Sequence, residues 1–330
     1  MKKQFVTVRR DTGLVSVYQI HWMEESFRKL GFSIRMAQKR KATEDIAKGL
    51  AKIGALRRIA RVCDTLSVVP VNGLAEYITF PVCYFNEIVT CAFDCWPNRY
   101  DDWVAFFRRH RPLVAFLSAK ASVEYMRRQC PDLHFEWAPE ATNPEAYDDH
   151  IPIEARKIDV LELGRRSDLF HEQVRPALAA DGKVHLYEHV KGEKIFGNGR
   201  QPLVEGLADS KIMVCFPATM THSYAGGVET MTQRYLDAMA SGCLPVGHAP
   251  AELIELFGYN PVVEVDMDAA AGHVRSILGH IGDWKPLVQR NRERLREVGS
   301  WDVRARAICE VIDRSVRAKQ SGAPSGSLAE

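Results

Sequence analysis

The sequence predicts an α/β protein of two domains, each a parallel sheet layered with helices, and three observations carry that prediction. Short apolar runs alternate with amphipathic helical stretches along most of the chain. A polar, turn-rich segment at 142–152, with Asn143-Pro144 and Asp148-Asp149, interrupts the alternation near its middle and reads as a linker. The stretch 212–248 reads as strand, glycine loop, helix, strand. A chain of 330 residues is long enough for two domains of ordinary size. Its 46% hydrophobic and 26% charged residues are those of a soluble globular protein.

In the first half, 3–8 reads as a strand and 16–30 as an amphipathic helix stopped at Gly31. Strands follow at 65–71 and 88–93, the second running into Asp94-Cys95-Trp96-Pro97. A helix with Trp103, Phe106 and Phe107 leads to a strand at 113–117. A helix from Lys120 to Cys130-Pro131 leads to another strand at 133–137. Charge is lopsided in this half. Between 28 and 61 eleven basic residues stand against two acids, Glu44 and Asp45, although the whole chain carries only +2. Ile46, Leu50, Ile53, Leu56 and Ile59 supply helical apolar positions inside the window. Such a helix either lies on an anionic membrane surface or presents an ordinary solvated basic face. No aromatic interleaving accompanies the charge, so nucleic acid is not an expected partner.

In the second half, strands are expected at 158–163 and 183–190, with helices at 167–180 and 203–210. The apolar run 212–216, bounded by Pro217, fits a buried strand, and the loop after it ends in Gly226-Gly227. A helix pattern starts near Thr230, with Tyr235, Leu236, Met239 and Ala240 on one side, and stops at Ser241-Gly242 before the next strand at 244–246. A strand at 262–265 and helices at 268–281, 285–298 and 302–317 complete the pattern. The Ser/Gly-rich tail from Lys319 is compositionally disordered. The glycine loop lets backbone approach a ligand, and the helix start offers free N–H groups and partial positive charge to a phosphate. Glu229 and Asp237 lie eight residues apart, slightly over two turns. If the helix begins directly after Glu229, the two acids share a face, one near the loop and one deeper. That spacing suits a sugar at one end and a ribose at the other.

Glu229 with the run 238–246, Ala-Met-Ala-Ser-Gly-Cys-Leu-Pro-Val, resembles the donor-binding signature of GT-B glycosyltransferases of the "glycosyl transferases group 1" type. That signature is Glu-x7-Glu followed by Ala-Met-Ala-x-Gly-x-Pro-Val. Asp237 stands at the second acid, one methylene shorter, and Thr230, Met231 and Thr232 stand where the family often has glycines. The run 158–165, IDVLELGR, resembles the first strand of the family's C-terminal domain, whose arginine reaches the donor pyrophosphate; Arg165 is its counterpart. The family's following lysine is absent, with Phe170 and His171 in its place, so either Arg166 substitutes or the site is less cationic. The run 291–305, with Ser300-Trp301, resembles the family's closing helix, which crosses back to the first domain. The resemblance covers about 155–310 and is weak over the first half.

The resemblance implies two Rossmann-like domains facing across a cleft. Residues 1–150 would bind the acceptor and 151–310 the nucleotide sugar, with 311–330 the end of the closing helix and the tail. It implies transfer of a sugar, with retention, to a polysaccharide, glycolipid or other glycan acceptor, and no metal or other cofactor. Such transfer needs positive charge or oriented N–H groups at the leaving diphosphate, hydrogen bonds to the sugar, and relief of the acceptor's proton. Arg165 and the 226–232 loop, with Gly226, Gly227, Thr230, Met231 and Thr232, serve the first. Glu229 accepts from sugar hydroxyls and Asp237 from the ribose. Asp94, at the end of an expected strand, either takes the acceptor's proton or caps the Trp96-Pro97 turn. His222 either approaches the donor or is merely exposed.

Two other patterns point to metals and are set aside. His185 to His189 matches H-x-x-E-H, a zinc motif that needs a helix. This run follows Gly182 as a strand, where four residues span about 13 Å. Asp266-Met267-Asp268 is a D-x-D late in the chain, more simply two acids at a helix start. Eight cysteines form no C-x-x-C pair, and Cys83, Cys91 and Cys215 sit in apolar runs as small hydrophobes. With no long apolar span, the expected compartment is a reducing cytoplasm, with peripheral contact at the inner membrane face if the basic helix binds lipid. Two alternatives stay open: a sugar-nucleotide epimerase on the same fold, and a catalytically silent partner that binds nucleotide sugar or membrane for another enzyme. No G-x-G-x-x-G follows a strand, which argues against a nicotinamide dehydrogenase.

Overall fold

The structure is a computed structural model that describes residues 1–7, 17–37, 45–46, 49, 64–72, 82–147, 150–188, 195–196 and 200–321. The chain divides into two compact units, Met1–Pro139 with Trp301–Glu330, and Glu140–Ser300. Most of the basic 28–61 stretch, Lys39, Arg40 and Lys41 included, lies outside the described residues, as does the tail from 322. Among the described residues no helix is long and apolar enough to cross a membrane.

The first unit holds a parallel sheet of β1 (Lys2–Thr7), β2 (Ser33–Met36), β3 (Thr65–Asn72), β4 (Glu87–Phe93), β5 (Val114–Leu117) and β6 (Phe135–Trp137), in the order β2-β1-β3-β4-β5-β6. Its helices are α1 (Val17–Lys29), the short α2 (Val82–Phe85), α3 (Tyr100–His110) and α4 (Lys120–Gln129). β4 is buried along its whole length, which is why it reads as one apolar run. Trp103, Phe106 and Phe107 turn the inner side of α3 into an aromatic layer, Phe107 meeting Phe135 edge-on at 5.1 Å. β2 was not expected: it is a four-residue edge strand with mostly exposed side chains, so no apolar run marks it.

The helix Trp301–Gln320 also belongs to this unit. It buries Trp301, Ala305, Ile308 and Ile312, and ion pairs join Lys3 to Asp313 at 2.7 Å and Lys319 to Glu87 at 2.8 Å. The division therefore differs from the expected 1–150 and 151–310. The physical reason lies at the ends of the second unit. Thr142 N–H donates to the Gly299 carbonyl at 2.9 Å, and Thr142 bridges to Ser300, so the two ends are fastened together before the last helix starts.

The second unit contains β7 (Ile158–Leu163), α5 (Asp168–Ala180), β8 (His185–Glu188), α6 (Arg200–Ala208), β9 (Ser210–Cys215), α7 (Gln233–Ala240), β10 (Leu244–Gly247), α8 (Ala251–Phe257), β11 (Val263–Glu264), α9 (Ala270–Gly279) and α10 (Lys285–Val298). The sheet is parallel, in the order β11-β10-β9-β7-β8. One face packs Val160, Ile212, Val214, Leu244 and Val246 against Phe170 and Val174 of α5 and Val274 and Ile277 of α9. α8 is only seven residues long and escaped the sequence pattern. The order reverses direction between β7 and β9, so the chain leaves these neighbouring strands on opposite sides. Ligands of open parallel sheets gather outside the carboxyl ends at such a point.

One backbone contact holds that edge in shape. Gly247, at the end of β10, has φ +152°, and a Cβ there would lie 2.1 Å from the Cys215 carbonyl oxygen at the end of β9. His248 N–H donates to the same oxygen at 3.0 Å. Gly247→Ala is expected to cost ~2–4 kcal/mol, because backbone on both strands must move. The measurement is the urea midpoint at unchanged m value; an unaltered midpoint would mean that the strands part without cost.

Candidate functional site

The carboxyl edge of the second sheet collects most of the candidate residues. β7 ends at Leu163, and Gly164, at φ +74°, turns the chain so that Arg165 and Arg166 follow directly. β9 ends at Cys215 and opens into a loop of two single 3-10 turns, Ala218–Met220 and Ser223–Ala225. His222 precedes the second turn, and exposed Gly226 and Gly227 close it, Gly226 at φ +54°. β10 delivers His248 and β11 delivers Glu264.

Two arginines meet here without an acid. Arg234, in the first turn of α7, donates from Nη1 to the Arg165 carbonyl at 2.7 Å. Burial lowers its pKa, and the neighbouring Arg165 charge lowers it further. Among the described residues neither arginine makes an ion pair, and Arg165 Nε is buried with no hydrogen-bond partner. The Arg165 guanidinium lies 5.7 Å over the Tyr224 ring, and Tyr224 meets His222 edge-on at 4.9 Å. Burial, and then the Arg165 charge, pull the His222 pKa down. His222 Nδ1 and the hydroxyls of Thr219 and Thr232 are also buried without partners. Buried polar atoms are normally satisfied, and these orphans, with two arginines that lack acid partners, have the chemistry to receive an anionic, oxygen-rich ligand. Arg166 is different: its Nε pairs with Asp168 at 2.8 Å and its guanidinium lies over Tyr187 at 4.9 Å.

The acid at this edge is Glu229. Its carboxylate stands 3.4 Å from His248 Nε2, while His248 Nδ1 is 2.8 Å from Glu264. Glu264 is in turn fixed by the Ala249 N–H at 2.9 Å and the Asn260 amide at 3.1 Å. Burial pulls the imidazole pKa down, but the Glu264 hydrogen bond and the charges of Glu264 and Glu229 outweigh it, and the net shift is upward.

Other candidates lie elsewhere. α7 starts at Gln233, not after Glu229, so Glu229 and Asp237 do not share a helix face. The start is late because Glu252 of α8 holds the preceding segment, accepting from the Thr230 hydroxyl and, at 2.9 Å, from Met231 N–H. Thr230 and Met231 are buried by this and offer nothing to the edge, whereas Thr232 sits at the helix N-cap position. Asp237 is buried, accepting from Tyr147 Oη and, at 3.0 Å, from Gln233. Burial raises its pKa against the opposing pull of Arg200 and of both hydrogen bonds. These contacts occupy the carboxylate oxygen that the sequence reading turned toward a ribose. Asp94 belongs to the first unit, exposed at the end of β4, at φ +57°. Its carboxylate accepts from the Trp96 indole N–H at 3.1 Å, a contact between side chains and not a cap on the backbone of the Trp96-Pro97 turn. The D-x-D acids form a turn, Asp268 N–H donating to Asp266 at 3.0 Å. Arg234, Tyr224, His248 and Glu264 were not anticipated. The available signal was position: Glu264 ends a strand, His248 follows one, Tyr224 stands in the loop after β9 and Arg234 opens a helix, all in segments that follow or close strands of one sheet.

The raised His248 pKa makes a pH prediction. Its ion pairs stabilise the fold fully below the ordinary imidazole value near 6.5, and that contribution fades as pH rises through the shifted value. The stability gap between wild type and His248→Gln should be larger at about pH 6 than at about pH 8.5, read by urea unfolding at each pH. A gap independent of pH would contradict the assignment.

No protein-family model matches the chain. No curated protein matches it either. Solved structures do. Sucrose-phosphate synthase from Thermosynechococcus elongatus superposes with a TM-score of 0.65 at 11% identity, over 96% of this chain and 100% of that one. HepE from Anabaena, solved in complex with UDP and glucose, gives 0.60 at 10% identity, over 95% and 100%. AviGT4, a glycosyltransferase involved in avilamycin A biosynthesis, gives 0.55 at 14% identity, over 98% and 99%. The likeness at these identities is one of fold, and the fold is that of the GT-B glycosyltransferases.

Proposed function

We propose that the chain is a glycosyltransferase that takes a sugar from a nucleotide-sugar donor and passes it, with retention, to a hydroxyl of a glycan, glycolipid or other saccharide acceptor. The observation that carries this reading is the pair Arg165 and Arg234, adjacent, without acid partners, and placed with the orphaned polar atoms at the carboxyl edge of the second sheet. A diphosphate supplies the charge and the acceptor oxygens those groups lack. In the reaction the bond between the anomeric carbon and the diphosphate oxygen breaks, the diphosphate leaves with the electron pair, and the acceptor oxygen bonds to the same carbon. The arginines meet the charge that develops on the leaving group, a role that side chains fill here in place of a bridging metal. Glu229, set by His248, accepts from the sugar hydroxyls. Asp94, exposed at the carboxyl end of β4, where ligands of parallel sheets gather, is the proposed acceptor of the proton. The buried Asp237 has no part in donor binding in this reading.

UDP is the first probe, because HepE has been solved with UDP and with UDP-glucose. UDP and UDP-glucose are expected to raise the melting temperature by mass action, alongside GDP-, ADP- and CMP-sugars as competitors for the assignment of the base. Arg165→Ala and Arg234→Ala should each weaken binding about tenfold or more, the worth of a charge-assisted hydrogen bond. If no nucleotide shifts the melting temperature, the donor reading fails. Glu229→Ala and Asp94→Asn should keep nucleotide affinity within about threefold while sugar transfer, or slow hydrolysis of the donor, falls about a hundredfold. Undiminished turnover in either variant would remove that residue from the mechanism.

A further inference from the structure

Away from that edge, three side chains with metal-binding chemistry meet inside the second unit. Glu162 comes from β7, His171 from α5 and His185 from β8. Sheet register explains the meeting: Val160 and Glu162 share one face of β7, and His185 stands beside Val160 in the parallel pairing, hence on the same face. α5 covers that face with Phe170 and Val174 and brings His171 with them. Glu162 Oε1 lies 2.6 Å from His171 Nδ1 and 2.8 Å from His185 Nε2. The three side chains are only 2%, 6% and 3% exposed.

As a purely hydrogen-bonded cluster this arrangement is incomplete. One carboxylate oxygen takes both contacts, while Glu162 Oε2 is buried with no partner. A buried carboxylate oxygen without a donor carries the full penalty of its desolvation. His185 Nδ1 is also buried without a partner, so the ring is held through Nε2 alone. The candidate donor atoms of the three residues already lie within 4.8 Å of one another.

We propose that Glu162, His171 and His185 supply three ligands to a divalent transition-metal ion of the zinc type, with a water completing the shell. Zinc bonds of about 2.0–2.2 Å to nitrogen and oxygen set neighbouring ligands about 3.4 Å apart in a tetrahedral shell. The ligands therefore need to part by less than about 1 Å, and Glu162 Oε2 gains a partner by turning to the ion. Two imidazoles with one carboxylate select zinc and its neighbours over magnesium and calcium, which take all-oxygen shells. The ligands come from three separate elements, and of the H-x-x-E-H run only His185 takes part, because its 185–188 portion is strand. The ion joins β7, α5 and β8 beneath Tyr187, whose ring meets His171 at 5.2 Å.

The test needs no knowledge of the reaction. The full chain, stripped with a chelator and dialysed, is titrated with Zn2+ by calorimetry and with Co2+ by visible absorption. The expected result is one tightly bound equivalent, an intense tetrahedral cobalt spectrum displaced by zinc, and a melting temperature that rises with free zinc. His171→Gln and His185→Gln should each weaken binding about a hundredfold, whereas His273→Gln, on a different helix, should leave it unchanged. The cobalt spectrum of wild type decides the matter even if a variant fails to fold. Absence of a bound equivalent, an octahedral cobalt spectrum, or full binding in either cluster variant overturns the proposal.

Discussion

The parallel pairing of β7 with β9 is the constraint on which the second unit depends. In a parallel sheet every strand ends at the same edge, so whatever follows β7, β9, β10 and β11 is delivered to one rim. Arg165, the 216–232 loop, His248 and Glu264 are far apart in the chain and meet because of that rule alone. The bare backbone of Gly247 refines it. By lying against the Cys215 carbonyl it draws the ends of β10 and β9 together and sets His248 between Glu229 and Glu264.

Charge is treated differently at this rim than elsewhere in the unit. Arg156, buried under the same sheet, gives its guanidinium to the carbonyls of Ile151, Ser210 and Ser241 at 2.8–3.1 Å. Lys211 is matched by Asp159 at 2.6 Å. Among the described residues Arg165 and Arg234 have no such acid, and burial and then the Arg165 charge disfavour the charge of Arg234. In the proposed reading the diphosphate of the donor relieves that repulsion.

The reading of the sequence succeeded where information is local. Apolar runs of the right length placed ten of the strands, and the Gly-Arg pair put Arg165 directly after β7. Glu229 and His222 could likewise be placed in the loop after β9, whereas their roles belong to the proposal. What stayed hidden is non-local. Arg234 looks like the solvent side of an amphipathic helix until its contact with the Arg165 carbonyl is known. Asp237 has the spacing of a ribose ligand, yet its neighbour is Tyr147, 90 residues earlier in the chain. The late start of α7 depends on Glu252, from a helix too short to announce itself. The three residues Glu162, His171 and His185 carry no common motif, since strand register and not spacing brings them together.

The bridge between Thr142 and Ser300 has a consequence for synthesis. Because the second unit starts and ends at paired residues, it is an insertion, and the first unit is written in two pieces on either side of it. A ribosome therefore releases the complete second unit before the helix Trp301–Gln320 that the first unit still needs. Until then Phe93, which packs edge-on against Trp301 at 6.3 Å, and the other side chains covered by that helix stay open to water. The part of the chain made first is the last to finish folding, and its unsealed interior is the interval in which the nascent protein is most exposed to misassociation.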